Sequence, residues 1–243
     1  MAVNIDSELP SYFPQPPQPT ATNNTFPSDL VADGRNFYTQ IQFVSYSFPF
    51  SSGTYGQPSG GMYLPIPRKL NDLQTVIWQE ESLLNLGASI ASSLSGRLGN
   101  IVDAGTKTAQ AGGALAGLAA NPFLFMMFKH PNFKQHTLTW TFAPTNEQES
   151  ITLAAIIRQF KFHMLPTLQL GGLAYGYPSI ALIKLYPSEV FTFAFKPCAV
   201  LAVETDFTGA GSPSYFKNGA PTVVNLTVQL KEIDLWTKNN YRP

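Results

Sequence analysis

One stretch near the end of the chain constrains the fold most strongly, because apolar and polar side chains alternate along it without interruption. Residues 221–235 read PTVVNLTVQLKEIDL. A period of two is the period of a β-strand, so the pattern predicts a long strand with one apolar and one polar face. The apolar set is Val224, Leu226, Val228 and Leu230, and the polar set is Asn225, Thr227, Gln229 and Lys231. We expect the apolar set to face the core of the protein.

Other strands are indicated by shorter runs of aromatic and β-branched residues. The run FYTQIQFVSYSF at 37–48 contains neither glycine nor proline, and TLTWTF at 137–142 alternates as a half-buried strand does. Three further runs, at 179–186, 190–195 and 198–207, are separated by prolines. The second half of the chain is therefore predicted to be mainly β-structure.

One amphipathic helix is predicted from about 146 to 164. Thr145 followed by Gln148 predicts a capping box at its start. His163 lies near the other end, where a positive charge complements the helix dipole, so we interpret it as structural and not catalytic. The apolar seam that should pack into the core comprises Leu153, Ile156, Ile157, Phe160 and Met164.

Composition divides the chain into four parts. Residues 1–36 are rich in proline and predict an extended arm, which either docks on a partner or serves as a structureless linker. Residues 37–68 supply the first strand and a Gly/Ser/Pro-rich loop. Residues 69–120 predict a helical insertion, with apolar residues at helical spacing over 69–95 and a Gly/Ala-rich continuation. Residues 121–243 form the main part of the predicted domain.

The Gly/Ala-rich part of the insertion runs into an uncharged stretch, AGGALAGLAANPFLFMMF, at 111–128. Gly113 and Gly117 have the spacing that lets two helices approach closely. A membrane span over 108–128 is one hypothesis. Pro122 and the small residues favour the other, a helix packed against protein, because alanine and glycine contribute little transfer free energy.

The charge content suggests a chain that is covered by neighbours. Only 12% of residues are charged, and 15 basic residues balance 15 acidic ones. A balanced charge creates no global field for nucleic acid or an anionic membrane. So few charges would leave a monomer poorly solvated, which favours an assembly. The single cysteine, Cys198, allows no intrachain disulfide and is expected to be a small core residue.

The sequence shows no pattern of catalytic or metal-binding residues. The three histidines have no metal-ligand spacing, and one cysteine cannot complete a zinc site. Glu204 and Asp206 would share a face of a strand, where a solvent-facing pair is the ordinary interpretation. No phosphate-binding or nucleophile motif occurs. We therefore expect no enzymatic activity, no cofactor and no metal.

Two stretches together resemble a known family. The first, at 121–166, has an Asn-Pro start, a Phe-Lys step, an alternating strand ending in an aromatic residue and proline, an acid-rich helix start and a Phe-rich helix end. The second comprises FKPCAVLAVETDF at 195–207 and NGAPTVVNLTVQLKEIDLWTKNNY at 218–241. In this order they resemble the baseplate tail-tube proteins of T4-like contractile-tailed phages. The resemblance covers about half of the chain, and the short, proline-rich N-terminal half departs from it.

The resemblance implies an α+β tail-tube fold, an antiparallel β-sandwich or barrel with one packed helix. A hexameric ring would then close its strands into one continuous barrel around a DNA channel, with the helix outside. The ring would nucleate the tail tube or join it to the baseplate hub. The side chains that would face the lumen are Gln40, Gln42, Asn225, Thr227 and Gln229.

The same resemblance implies the partners and the location. The chain would contact copies of itself, neighbouring baseplate tube rings, the hub and the tail-tube protein, with tape-measure, sheath or wedge proteins as further candidates. DNA would pass through the lumen without sequence recognition, and no membrane contact is expected. The protein would belong to the virion tail baseplate and be assembled in the host cytoplasm.

Two hypotheses of other classes stay open at this point. One is a monomeric β-sandwich binding module that carries a proline-rich arm. The other is a membrane-active protein that acts through residues 108–128. Oligomeric size separates the first from a ring-forming protein, and flotation with liposomes separates the second.

Overall fold

The computed structural model of the protein describes residues 23–30, 37–46, 58–82, 124–186, 192–209 and 211–241. These residues belong to two compact units. The first unit contains the described residues up to Leu73 and from Phe133 onward, and the second contains those from Gln74 to Asn132. In chain order the elements are β1 (Asn23–Thr25), β2 (Tyr38–Val44), β3 (Pro58–Pro65), β4 (Val76–Ser82), β5 (Leu124–Pro131), β6 (Gln135–Phe142), α1 (Glu147–His163), β7 (Thr167–Gln169), β8 (Ala174–Gly176), β9 (Ile180–Tyr186), β10 (Cys198–Asp206) and β11 (Val224–Glu232).

The main sheet of the first unit has seven strands in the order β1-β3-β2-β9-β10-β11-β6. All neighbouring strands are antiparallel except β1 and β3. Within the described residues the structure is mostly sheet with a single α-helix, which confirms the coarse α+β prediction. The sheet is open, however, and its strands do not close into a barrel within one chain.

The two ends of this sheet nevertheless approach each other. Beyond β3, the Arg68 amide donates a hydrogen bond of 2.9 Å to the Thr139 carbonyl of the last strand, β6. The Trp140 indole of β6 also donates to the Pro65 carbonyl at the end of β3, at 2.8 Å. Strand twist explains the approach, because successive strands rotate in one direction and curl a large sheet. Part of the exposed edge of β6 is thereby satisfied without a further strand.

The core lies on one face of the sheet, as the alternation in the sequence predicts. Val224, Leu226, Val228 and Leu230 are all at most 1% exposed. Directly opposite them on β6 stand other large apolar side chains, such as Leu138 across from Val228. The pairing is apolar from Val224 to Val228, and at the other end His136 stands across from Leu230, so the shared face is apolar except at that end.

The helix packs on the core through most of its predicted seam. Leu153, Ile156 and Phe160 are at most 2% exposed, and Ile157 is buried as well. Met164 lies one residue past the helix and is half-buried. The seam therefore packs into the core, and its C-terminal member, Met164, buries a smaller fraction of its side chain than the others.

The helix begins one residue later than the predicted capping box. Asn146, and not Thr145, is the N-cap, and its side chain accepts a hydrogen bond of 2.8 Å from the Glu149 amide. The Glu149 carboxylate in turn accepts from the amide and the hydroxyl of Thr145, at 2.8 and 2.9 Å, and from Ser28. Glu149 thus takes the place in the capping box that the sequence analysis gave to Gln148. A carboxylate suits that place better than an amide, because its negative charge also complements the positive end of the helix dipole.

These hydrogen bonds make the stability of the protein depend on pH. The amide of Thr145, opposed by burial and reinforced by the hydroxyl of Thr145 and by Ser28, lowers the pKa of Glu149 from its ordinary 4.5. The stabilisation is therefore present above pH 4.5 and is lost as the pH falls through the lowered pKa of the folded state. We expect Glu149→Gln to destabilise the protein by about 1–2 kcal/mol at neutral pH.

Denaturant titrations of the wild type and of Glu149→Gln at pH 7 and at pH 3 would measure this effect. The difference between the two proteins should shrink at pH 3. The matched control is Glu147→Gln, because Glu147 is an exposed carboxylate in the same helical turn. An equal loss of stability at both pH values would contradict the assignment.

Two of the sequence-based interpretations are wrong. The helical spacing over 69–95 includes Val76–Ser82, which is strand β4 and not helix. A short apolar run fits either period, and pairing with β5 decides in favour of the strand here. The predicted strand at 190–195 is also not formed in its described part, residues 192–195. There the aromatic rings of Phe193 and Phe195 pack on His136 instead.

Part of the proline-rich arm is ordered on the chain's own core. Within 1–36, residues 23–25 form β1, and the Phe26 amide donates a 3.0 Å hydrogen bond to the Tyr63 carbonyl. The Phe26 ring is 5% exposed and stands edge-on to Phe142 at 5.0 Å. For residues 23–30, neither a structureless linker nor docking on a partner describes the observed packing.

The second unit contains the antiparallel pair β4 and β5. Trp78 and Phe128 face each other across the two strands with their ring centroids 5.5 Å apart. Both rings are about half exposed. The predicted close-packing glycines, Gly113 and Gly117, lie outside the described residues.

Candidate functional site

The outward face of the main sheet carries a row of neutral polar side chains. We call this surface the polar face. Its members are Gln40 and Gln42 of β2, Thr137, Thr139 and Thr141 of β6, and Asn225, Thr227 and Gln229 of β11. The five residues that the sequence predicts for a lumen all lie on it, opposite the core. The structure adds the three threonines, which stand directly across from Asn225, Thr227 and Gln229.

Cross-strand hydrogen bonds hold part of the polar face in place. The Thr141 hydroxyl donates to the Asn225 side-chain oxygen at 2.7 Å. The hydroxyls of Thr139 and Thr227 lie 3.4 Å apart. Each of these groups still has lone pairs or protons that can bind water. The surface is therefore ordered and well hydrated. Fixed charges lie at the first of these pairs, because the Arg68 guanidinium donates to the Thr141 hydroxyl at 2.9 Å and the Asn225 side chain donates to the Asp206 carboxylate at 3.4 Å.

Three tyrosines frame the polar face at Gln40. Tyr38 stacks on Tyr186 with a centroid distance of 4.5 Å and meets Tyr63 edge-on at 5.8 Å. The Tyr186 hydroxyl donates to the Gln40 side-chain oxygen at 3.0 Å. Burial, together with the neighbouring phenols of Tyr186 and Tyr63, raises the pKa of Tyr38. The phenol is therefore uncharged at physiological pH, and Lys184, which lies over the Tyr186 ring at 5.2 Å, is the one cation beside it in the described structure.

The charges on the outward face of β10 and β11 are few. Glu204 lies across from Thr227, and Asp206 lies across from Asn225. The Thr208 hydroxyl and amide, with a further hydrogen bond from Asn225, lower the pKa of Asp206. Lys231 is the cation at the other end of β11. The named members of the polar face are neutral, but Lys184 of β9 and Glu204 and Asp206 of β10 lie between β2 and β11 in the sheet, so charges of both signs occur within this face.

A buried polar network lies on the core side of the same strands. Glu232 is 1% exposed, and its carboxylate accepts hydrogen bonds from three groups. These groups are the indole of Trp236, the Lys196 amide at 3.2 Å and an imidazole nitrogen of His136 at 3.2 Å. The other imidazole nitrogen of His136 has no hydrogen-bond partner among the described residues. Such an arrangement orients a histidine, but its burial keeps it away from a substrate.

Two lysines complete the network from outside. The Lys134 ammonium forms an ion pair of 2.6 Å with Asp72 and lies 5.0 Å from the centroid of Trp236. The Lys196 ammonium lies 4.5 Å from the same ring and donates to a backbone carbonyl. Burial lowers the pKa of Lys196, and nearby carboxylates oppose that effect. Cys198 is fully buried, and burial raises the pKa of its thiol, so it is not a nucleophile in this environment.

His163 is structural, but for a different reason from the one the sequence suggests. Its ring is 5% exposed and stacks on Phe43 at 4.3 Å, with one nitrogen 3.1 Å from the Ser179 hydroxyl. Burial lowers its pKa below the ordinary 6.5, so it carries no positive charge for the helix dipole at neutral pH. The predicted electrostatic role is therefore wrong, and packing between helix and sheet explains the residue.

Gln159 supports this seam from the helix. Its side chain is fully buried, and its side-chain oxygen accepts a hydrogen bond of 3.1 Å from the side-chain amide of Asn24 in β1. Gly60 of β3 lies directly against it, and a β-carbon at that glycine would collide with the Gln159 amide nitrogen. Gly60 is thus required by the close approach of the third strand to the helix.

Two of these buried residues could have been found from the sequence. His136 has the same parity along its strand as Leu138, Trp140 and Phe142, so the alternation already places it in the core. Glu232 likewise continues the apolar set of β11. Their pairing could not be read from the sequence, because it depends on the register between two strands that are far apart in the chain.

The described part of the chain contains no group of three His, Cys, Asp or Glu side chains that could hold a metal ion. Among the same residues, no helix combines the length and the apolar character needed to span a bilayer.

No protein-family model matches the sequence, and no curated protein matches it significantly. The functional argument therefore depends on the geometry of the two faces of the sheet.

Proposed function

We propose that this chain is a non-enzymatic structural protein of a phage virion, a baseplate tail-tube subunit that forms a hexameric ring. The ring nucleates the tail tube or joins it to the baseplate hub, and it surrounds the channel through which DNA passes. The proposal starts from the resemblance of residues 121–166, 195–207 and 218–241 to such proteins. The observation that carries it is the two-faced pair of strands β6 and β11, whose inner face is mainly apolar and whose outer face carries mainly neutral polar side chains.

The chemistry of the polar face suits the wall of a DNA channel. A fixed lysine or arginine that neutralises a phosphate releases counterions and strengthens binding, which would retain DNA that has to pass. A fully apolar wall would repel the hydrated polyanion. Amide and hydroxyl groups such as Thr227 and Gln229 hold water without holding phosphate. Three cations, Arg68, Lys184 and Lys231, also lie on this surface. Glu204 and Asp206 lie on the same surface and partly offset their charge.

An open sheet also suits a ring. β1 and β6 lie at the ends of the sheet, and Arg68 satisfies only part of the β6 edge. The remaining exposed strand edges favour pairing with another chain. Closure of several copies into a barrel removes such edges. The low charge content of the chain agrees with a surface that neighbours cover. The partners proposed are other copies, the adjacent tube rings, the hub and the tail-tube protein, in the virion tail baseplate.

Cysteine labelling of assembled rings tests the proposal. Thr227→Cys and Gln229→Cys should react with a small maleimide that diffuses into a tube, but not with a maleimide coupled to a bulky polymer. In dissociated subunits both reagents should react. Cys198 contributes no background, because it is buried and its thiol pKa is raised.

Two controls make the labelling specific. Lys217→Cys, at an exposed turn, should react with both reagents in assembled and in dissociated protein. Val228→Cys should react with neither, because Val228 is fully buried on the core face. If the bulky reagent labelled Gln229→Cys in assembled particles as fast as Lys217→Cys, the polar face would lie outside the ring. Electron microscopy of the same particles counts the copies.

A further inference from the structure

A short segment near the start of the described chain is joined to the helix at two points. Residues 23–30 contain β1, which pairs with β3, and the buried side chains of Phe26 and Leu30. In addition to these contacts with the sheet and the core, two sets of hydrogen bonds connect the segment to α1. One set lies at the start of the helix and the other near its end. We call residues 23–30 the strap.

The contact at the start of the helix depends on an ionised carboxylate. Oε1 of Glu149 accepts hydrogen bonds of 3.3 Å from both the amide and the hydroxyl of Ser28. Oε2 accepts from the amide and the hydroxyl of Thr145 at 2.8 and 2.9 Å. A carboxylate has about four lone-pair sites, so all of them are occupied. A proton on Glu149 therefore displaces one of these bonds, and the longer bonds to Ser28 are the weaker ones.

The contact near the end of the helix is made by Gln159, which lies one turn before His163. The Gln159 side-chain oxygen accepts from the side-chain amide of Asn24 at 3.1 Å. The Gln159 amide nitrogen and the Nε2 atom of His163 both lie beside Gly60. Both nitrogens are buried, and neither has a hydrogen-bond partner among the described residues. The other ring nitrogen, Nδ1, lies 3.1 Å from the Ser179 hydroxyl.

The protonation state of His163 decides whether these two nitrogens are compatible. In a neutral imidazole Nε2 can be the acceptor, which suits a neighbouring amide that donates. In an imidazolium both ring nitrogens donate, so two sets of N–H groups would crowd a buried place that offers them no acceptor. Buried donors without acceptors cost free energy. Gln159 relieves this cost by moving away, and its hydrogen bond to Asn24 is then lost.

We propose that the strap is an acid-sensitive closure, which detaches from α1 at low pH while the rest of the first unit stays folded. One titratable group stands at each of its two contacts with the helix, and protonation weakens both contacts. Detachment would remove β1 from the sheet and leave β3 as the edge strand. The inference concerns the fold of the single chain and does not rest on the proposed function.

The directions of the two pKa values agree with this geometry. The amide of Thr145, with the further hydrogen bonds from Thr145 and Ser28, lowers the pKa of Glu149 against the effect of burial. That contact is therefore kept above pH 4.5 and lost as the pH falls through the lowered pKa. Burial lowers the pKa of His163 from 6.5, so the closed form disfavours the proton and acid below pH 6.5 favours the open form.

Charged neighbours do not produce either effect. Among the described residues, no charged group contributes to the lowered pKa of Glu149 or of His163. The sheet presents Phe43 of β2 and Gly60 of β3 to the imidazole, and neither residue titrates. The charged residues next to the two contacts along the chain are Asp29 in the strap and Glu147 and Lys161 in the helix.

Native-state hydrogen exchange of the wild type at pH 7, pH 5.5 and pH 4 tests the proposal. Protection factors are compared, so the pH dependence of the chemical exchange rate cancels. A peptide covering 23–30 reports on the strap, in which the Phe26 amide donates to the Tyr63 carbonyl. A peptide covering β11 reports on global unfolding. We expect the protection factor of the strap to fall by about tenfold or more between pH 7 and pH 4, and that of β11 to fall much less.

Single substitutions locate the response. Glu149→Gln and His163→Gln each remove one titrating group and should each reduce the acid-induced loss of strap protection. The matched controls are Glu147→Gln and His130→Gln, because Glu147 is an exposed carboxylate in the same helical turn and His130 is an exposed imidazole. Both controls should respond to acid as the wild type does.

The outcomes decide the proposal even where a variant does not fold, because the wild-type profile has its own internal reference in β11. Strap protection that is constant with pH overturns the proposal. Strap protection that falls in parallel with β11 also overturns it, because the acid response is then global unfolding. A wild-type acid response in both Glu149→Gln and His163→Gln assigns the response to other groups and overturns it as well.

Discussion

Replacement of Glu232 by alanine is expected to destabilise the protein by about 3–5 kcal/mol, the range for breaking a buried polar network from one side. The carboxylate is the shared acceptor of the Trp236 indole, the Lys196 amide and His136. Alanine would leave these three donors in a place that water does not reach. A buried donor without an acceptor loses the free energy of hydration and regains nothing in exchange.

Chemical denaturation with tryptophan fluorescence measures this effect, because the Trp236 indole is itself part of the network. The matched control is Glu204→Ala, which removes an exposed glutamate from the neighbouring strand and should change the free energy of unfolding by less than about 0.5 kcal/mol. Similar losses for the two substitutions would show that the network does not stabilise the fold.

Replacement of Phe160 by alanine should cost about 3–5 kcal/mol, because it deletes a fully buried aromatic ring and leaves a cavity between helix and sheet. The ring stands edge-on to Phe43 at 5.7 Å and lies 6.5 Å from Trp140. Both neighbours belong to the sheet, so the ring joins the two layers of the first unit. The melting temperature should fall by roughly 10 °C in a chain of this size.

The same helix offers a close control two residues further on. Phe162 is 46% exposed, so Phe162→Ala removes an equal volume but creates no internal cavity. We expect a loss below about 1 kcal/mol for that substitution. Thermal unfolding of the two variants side by side decides the question. Equal shifts would mean that the helix seam is not the tight core contact that the burial of Phe160 indicates.

Strand periodicity accounts for most of what could be predicted about the sheet. Residues with one parity in β6 and β11 are buried, and those with the other parity form the polar face. This rule also places His136 and Glu232 in the core, although polar side chains such as these usually lie on the protein surface. The helix could be predicted for a similar reason, since its apolar residues repeat at i, i+3, i+4 and i+7.

The two mispredicted segments were inferred from local patterns, the helical spacing over 69–95 and the aromatic run at 190–195. Val76–Ser82 is too short to distinguish a strand from a helix by period, and it is a strand because β5 pairs with it. Phe193 and Phe195 look like part of a strand in sequence but pack on His136. In both places a partner that is distant in the chain decides the conformation.

The amino-acid sequence by itself determined which face of β6, of β11 and of the helix is buried, because these periods depend only on local backbone geometry. The tertiary structure decided which strands are neighbours, how far the sheet curls and where Glu232 meets His136. These features depend on register and on distant contacts, and their free energy comes from pairs of residues that no local pattern brings together.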